Sequence, residues 1–219
     1  MLRLEFHCHT RFSKDSLLGI ERLLAVCRTK GIDRLVVTDH NTTAGAQLAA
    51  DLDPQRIIVG EEIMTREGEL LAAFVLEEVP RGLPCLEAIE RLREQGAFIS
   101  VSHPFDTSRR GHWQTEALER IAPLVDAIEV FNSRCLSSEP NRRAQAFAAT
   151  HNLAGTVGSD AHTAFEVGRA ILRLPEFDDA QSLKIALNGA RFETRLSSPF
   201  VHFTSRYAVW VKEIRGTRG

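Results

Sequence analysis

Seven short runs of apolar, β-branched or aromatic residues constrain this chain more than any other feature, at 2–6, 35–38, 57–59, 70–76, 97–101, 127–131 and 155–157. Each is short and nearly continuous in its apolar character, the pattern of a strand buried on both faces. Helical patterns separate several of them. One covers 17–30, with Leu23, Leu24, Val26 and Cys27 on one side and Gly31 as its stop; others cover 86–95, closed by Gly96, and 141–151, rich in Ala, Arg and Gln. This βαβα alternation predicts a parallel sheet covered on its outer face, either doubly wound or closed into a barrel. Neither G-x-G-x-x-G nor a P-loop follows any run, so an open nucleotide-binding sheet loses its usual support.

The chain of 219 residues is expected to form one domain. Its motif-bearing core spans about 1–174. A C-terminal extension over about 175–219 opens at Pro175-Glu176-Phe177-Asp178-Asp179 and is expected to pack on the same domain. A chain of this length buries roughly 70% of its unfolded surface, so a bound metal would be functional rather than a structural staple. The net charge of −2 gives no global field toward nucleic acid or an anionic membrane, while a nucleotide substrate stays compatible. Cys8, Cys27, Cys85 and Cys135 lack C-x-x-C spacing, which favours a reducing compartment and predicts a cytoplasmic protein. The 70–76 run is too short to span a bilayer, so no membrane partner is expected.

Residues able to bind metal directly follow almost every predicted strand. The first ends in His7-Cys8-His9-Thr10, and a period of two sends His7 and His9 to the same side. The others end in Thr38-Asp39-His40, Gly60-Glu61-Glu62, Ser102-His103-Pro104, Glu129-Val130-Phe131-Asn132 and Gly158-Ser159-Asp160-Ala161-His162. Five of the eight histidines therefore sit at strand ends, beside Asp15, Glu62 and Asp160. A lone histidine is usually a core or surface residue, but this clustering points to a site for more than one metal. Imidazole and carboxylate without thiolate suit zinc, manganese or iron. Two ions bridged by a carboxylate and a hydroxide would activate water and clamp a phosphate ester.

At these residues the sequence resembles the PHP family, named for its polymerase and histidinol phosphatase members. The matches are HCHT at 7–10 with FSKDS at 12–16, VTDHN at 37–41, VGEEI at 59–63, SHPF at 102–105, IEVFNSR at 128–134 and GSDAHT at 158–163. The resemblance implies a distorted seven-stranded (β/α) barrel with metals at the C-terminal face and phosphoesterase activity. Carried over by motif, His7, His9, Asp15, His40, Glu62, His103, Asp160 and His162 are the implied metal ligands, with Asp15, Asp160 and His162 also expected to act in catalysis. Where many members have a histidine on the fourth strand this chain has Gly68-Glu69-Leu70-Leu71. Two ions are therefore expected to bind firmly and a third, left with Glu62 and His103, weakly or not at all.

Arg134, Arg109 and Asn132 are expected to bind the substrate, Arg134 foremost, because a forked guanidinium suits phosphate. Asp39 is expected either to orient a ligand histidine or to cap a turn. The function expected is hydrolysis of a small phosphorylated substrate, such as a nucleotide or short oligonucleotide. Two alternatives are a binuclear amidohydrolase-type enzyme and a non-catalytic metal-binding module of the same family.

Overall fold

The computed structural model describes residues 1–216. Its strands are β1 (Leu2–Glu5), β2 (Arg34–Val37), β3 (Ile57–Met64), β4 (Glu69–Ala73), β5 (Phe98–Val101), β6 (Ala127–Asn132), β7 (Ala154–Gly158), β8 (Ala170–Leu174) and β9 (Arg191–Thr194). The helices are α1 (Ile20–Lys30), α2 (Ala44–Leu52), α3 (Cys85–Glu94), α4 (Thr115–Ile121), α5 (Glu139–His151), α6 (Ala180–Ala186) and α7 (Val201–Ile214). All seven predicted runs become strands, and β8 and β9 bring the sheet to nine, in the order β7-β6-β5-β4-β3-β2-β1-β8-β9. The sheet curls into a nearly closed barrel. Past the ends of β1 and β7 the rim is joined by a bridge between Cys8 and Ala161, with His9 N donating to Ala161 O at 2.8 Å.

The expectation of an all-parallel sheet is corrected at two strands. β1, β2 and β3 run parallel, as do β5, β6 and β7, but β4 is antiparallel to both its neighbours and β8 is antiparallel to β1 and β9. The cause is chain length. Only residues 65–68 lie between β3 and β4, whereas a parallel return needs a crossover of about a dozen residues. Thr65 closes this hairpin by pairing its backbone N–H and its hydroxyl with Gly68 O, at 3.0 and 2.6 Å. Reversal brings the start of β4, rather than its end, to the rim where the other strands finish.

Helices α1 and α2 pack with Leu35 and Val37 of β2 and Ile57 of β3 through Leu23, Leu24, Cys27, Ala46 and Ala49. A larger core gathers Leu4, Phe6, Leu70, Leu71, Phe98 and Ile99 with Leu92 of α3 and Leu118 of α4. Phe6 and Phe98 meet edge to face at 5.6 Å between centroids, a favoured aromatic geometry. The extension after residue 174 is continuous with this architecture: Leu183 of α6 is in the larger core and β9 completes the sheet. All four cysteines are buried thiols. No helix among the described residues is long and apolar enough to cross a membrane.

Candidate metal centre

His7 and His9 leave β1 on the same side, and each has its Nδ1 engaged away from the centre. His7 Nδ1 lies 2.9 Å from Glu129 Oε1, and His9 Nδ1 lies 3.0 Å from Ser13 Oγ, whose hydroxyl donates to Asp39 Oδ1 at 2.6 Å. Asp39 also accepts from Thr10 N and Thr10 Oγ1, at 2.7 and 2.6 Å, so it braces the whole turn after HCHT. With Nδ1 occupied, Nε2 of each ring faces inward, and the two Nε2 atoms stand 3.1 Å apart. A partner that fixes the far nitrogen of a histidine is how proteins present the near nitrogen to a metal.

Glu62 is the hub. Its Oε2 lies 3.3 Å from His7 Nε2, 3.3 Å from His9 Nε2 and 3.0 Å from His40 Nδ1, while Oε1 lies 3.1 Å from His103 Nε2 and accepts from Ser102 Oγ at 2.7 Å. Asp160 Oδ1 closes the far side, 3.3 Å from His9 Nε2 and 3.4 Å from His162 Nδ1. Asp15, half-buried at the rim, lies 3.2 Å from His162 Nε2 and 3.6 Å from His40 Nε2. All eight residues expected as ligands are thus in one cluster.

The charges in the cluster lean on one another. Burial opposes ionisation of Glu62, yet the His7 and His40 imidazoles hold its carboxyl well below the usual range. Burial likewise opposes charge on His7 and His40, but Glu62 with Asp160 and Glu129 on one side, and with Asp15 on the other, raises both well above an ordinary histidine. Asp160 is held low against burial by Arg109 and His7. Even so, Glu62 Oε2, Asp160 Oδ1, Asp15 Oδ1 and His162 Nε2 are buried with no hydrogen-bond partner among the described residues. Orphaned buried acceptors facing inward-turned imidazole nitrogens are the donor set of a divalent cation. Three such groups fall within ligating reach: His7–His9–Glu62, His9–His40–His162 and His40–Glu62–Glu69.

The last group contains a residue that the sequence reading passed over. Leu70 and Leu71 are fully buried, and Leu71 pairs with Glu62 two positions deeper along β4 than Glu69. Because β4 runs backwards, Glu69 stands at the rim, 3.5 Å from His103 Nε2 and 3.8 Å from His40 Nδ1. Burial and the adjacent Glu62 raise its carboxyl above the ordinary range. Gly111, whose backbone carbonyl accepts from Glu69 N at 3.0 Å, closes over it.

Of the residues expected at the substrate, Arg109 and Arg134 line one cavity over the cluster and Asn132 does not. Asn132 is fully buried, donating from Nδ2 to Glu129 Oε2 and Asp160 Oδ2, at 3.0 and 3.2 Å. Arg134 is 4% exposed. Its Nη1 contacts His162 Nδ1, its Nη2 donates to Val201 O and Ser205 Oγ at 2.9 and 2.8 Å, and its Nε lies 3.3 Å from Glu166 Oε1. It therefore ties the end of β6 to α7. Arg109 bridges Asp106 and Asp160 and is partly open to a cavity of about 640 Å³ over the cluster. Lys14, Arg81, Arg110 and Arg206 also line that cavity, as do His40, Asp15 and His202.

The chain is 36% identical over 200 residues to the uncharacterized protein MJ0417 of Methanocaldococcus jannaschii, a match covering 88% of this chain and 81% of that one. Residues 138–187 match the PHP-associated family model PHP_C. A two-domain protein from Bacteroides vulgatus containing a predicted PHP-like metal-dependent phosphoesterase shares the fold at a TM-score of 0.72 and 20% identity, over 94% of this chain and 69% of that one. The lesion-specific endonuclease PfuEndoQ from Pyrococcus furiosus shares it at a TM-score of 0.61 and 16% identity, over 87% and 57%. At such identities the two structures speak to the fold alone; the family-model match, with the relative matched along most of its length, places the chain in the PHP domain family.

Proposed function

We propose that this protein is a metal-dependent phosphoesterase acting on a small phosphorylated substrate, such as a nucleotide or short oligonucleotide. The observation that carries the reading is the position of the imidazole–carboxylate cluster at the floor of a cavity lined by Lys14, Arg81, Arg109, Arg110 and Arg206. A cation-binding floor beneath a basic wall suits an anion that reacts at the metals. The likeness of the fold to PHP-like phosphoesterases supports the same chemistry.

His7, His9, Glu62 and Asp160 would hold one ion, and His40, His162 and Asp15 a second. A weaker third position would use His103, Glu69 and Glu62, since it has a single imidazole of its own. Divalent ions there supply a water nucleophile near neutral pH and neutralise charge on the phosphoryl oxygens. The chain does the rest. Glu129 and Ser13 fix the rings of His7 and His9, and Arg109 and Arg110 take the phosphate by charge-assisted hydrogen bonds. Arg134 positions His162 and α7.

Purified protein loaded with manganese or zinc should hydrolyse members of a panel of phosphomonoesters, nucleoside bisphosphates and oligonucleotides, and His9→Ala should abolish this while leaving the fold intact. Metal-free protein, verified by elemental analysis, that turns over at the full rate would refute the reading.

A further inference from the structure

Helix α7 has two faces, and the candidate site uses one. Val201, Ser205, Ala208 and Lys212 point toward the body of the protein. At about 100° per residue, Phe203, Tyr207, Trp210 and Ile214, continuing the line of Phe200, lie roughly 180° away. Phe200, Phe203, Tyr207, Trp210 and Ile214 are 74%, 64%, 58%, 56% and 65% exposed. Their rings fall in two pairs along one line: Phe200 and Phe203 are 6.2 Å apart and Tyr207 and Trp210 are 5.9 Å apart between centroids. Steps that alternate between three and four residues trace the seam of a helix packed lengthwise against another helix. A soluble monomer seldom exposes so long an apolar strip.

The flanks of the strip select its occupant. Arg206, at the edge of the cavity, and Glu213, both exposed, lie on one flank seven residues apart, and Thr204 and Val211 lie on the other. When two copies of α7 run antiparallel about a twofold axis, like flank meets like flank. Arg206 of each copy then faces Glu213 of the partner subunit, and the ion pair forms twice. A parallel pair would set these charges against Thr204 and Val211. The area is also sufficient. Aromatic side chains carry roughly 150–250 Å² each, so this strip presents roughly 600 Å² per copy, and a pair reaches the roughly 1,200 Å² at which specific interfaces begin.

We propose that α7 is a self-association surface, through which two copies of this chain pair antiparallel along Phe203, Tyr207, Trp210 and Ile214 with Arg206 and Glu213 exchanged across the axis. Sedimentation velocity on the full chain across a concentration series should show a monomer–dimer equilibrium. Tyr207→Glu combined with Trp210→Glu should be monomeric throughout, with an unchanged far-UV circular dichroism spectrum. Arg206→Glu should weaken the dimer by about ten-fold or more, and adding Glu213→Arg should restore it to within about three-fold. A wild-type chain monomeric at every concentration would overturn the proposal. So would a dimer indifferent to the strip substitutions, or one that the charge exchange fails to restore. Binding of a monomeric wild type to phosphatidylcholine–phosphatidylglycerol vesicles, lost in the strip variant, would instead make α7 a membrane-facing helix.

Discussion

Gly158→Ala tests whether His7 belongs to a metal centre without changing any candidate ligand. Gly158 ends β7 against His7, and a Cβ placed on it would fall less than 3.0 Å from both His7 Cβ and Glu129 Oε1. Non-bonded carbon atoms settle about 3.5–4.0 Å apart, so the neighbours must yield by about 1 Å. Glu129 cannot withdraw without breaking its 2.9 Å contact with His7 Nδ1. His7 Cβ cannot withdraw without moving the backbone after β1, which is bridged to the rim at Ala161. Overpacking of this kind costs about 1–3 kcal/mol, and each kcal/mol lowers Tm by about 2–4 °C in a chain of this size. Metal ligation tolerates about 0.2 Å, so a displacement of about 1 Å should cost the affinity about 100-fold, the upper range for loss of a supporting partner. Competition with a chromogenic chelator reads the affinity, and calorimetric melting reads the fold. A variant that melts lower as expected yet binds metal with unchanged affinity and stoichiometry would show that His7 is packing and not a ligand.

Other substitutions probe the site and its supports. Glu69→Gln should hold fewer ions by elemental analysis in excess metal, where the weak third position fills, and it should change the pH dependence of the metal-free fold. Burial and Glu62 hold Glu69 above its ordinary value of 4.5, so the folded state keeps this proton longer, and stability falls as pH rises from 4.5 to the raised value and stays lost above it. Denaturant unfolding of the metal-free variant should match the wild type below pH 4.5 and exceed it at neutral pH. Arg134→Ala should cost about 3–5 kcal/mol, because it strands Glu166 in the interior, and Arg134→Met with Glu166→Leu should recover most of that in urea unfolding. Against burial, hydrogen bonds from Arg93, Ile99 N–H and Lys184 keep Asp126 below its ordinary 3.8. Its contribution is therefore complete above pH 3.8 and disappears as pH falls through the depressed value, so Asp126→Asn should cost about 1–2 kcal/mol at neutral pH and little in acid.

What the sequence made legible was local. The HCHT pair follows from the period of a strand, and the strand runs follow from continuous apolarity, both properties of neighbouring residues. Direction is not local in that sense: the runs at 57–59 and 70–76 leave ten residues between them, close to the dozen of a crossover. Only the structure, by extending β3 to Met64, narrows the gap to 65–68 and so reverses β4 and puts Glu69 at the rim in place of the histidine missing at Leu71. Glu129, distant in sequence from His7, carries no pattern of its own. Its role depends on the barrel bringing β6 beside the end of β1, whereas Asp39, which the sequence offered as a brace for a ligand histidine, acts through Ser13 on His9. β8 reads as apolar, yet Pro175 shortly after it suggested the end of the core. β9 is exposed along its whole length and offers no hydrophobic signal at all. Arg134 has the residue type of a phosphate ligand and lines the cavity, and only its contacts in the fold show that it also braces His162 and α7.

The brace gives the C-terminal extension more than a packing role. Arg134 joins the start of α7 to His162, and Lys212 near its end donates to Arg11 O at 2.6 Å and to Ser13 O. Ser13 in turn fixes His9 Nδ1. The two ends of one helix are therefore tied to His162 and His9, two imidazoles of a single candidate ligand group. Order in that group depends on α7 lying flat across the rim, because neither tie reaches the site if the helix lifts. An isolated helix of fourteen residues is marginal in water, and only Ala208 among its residues is fully buried. Its hold on the barrel must therefore come from Arg134, Lys212 and His202, whose Nε2 lies 3.0 Å from Arg134 O. A partner seated on the aromatic strip would add burial on the opposite side of the same helix, and so would favour the conformation in which His162 and His9 face one another.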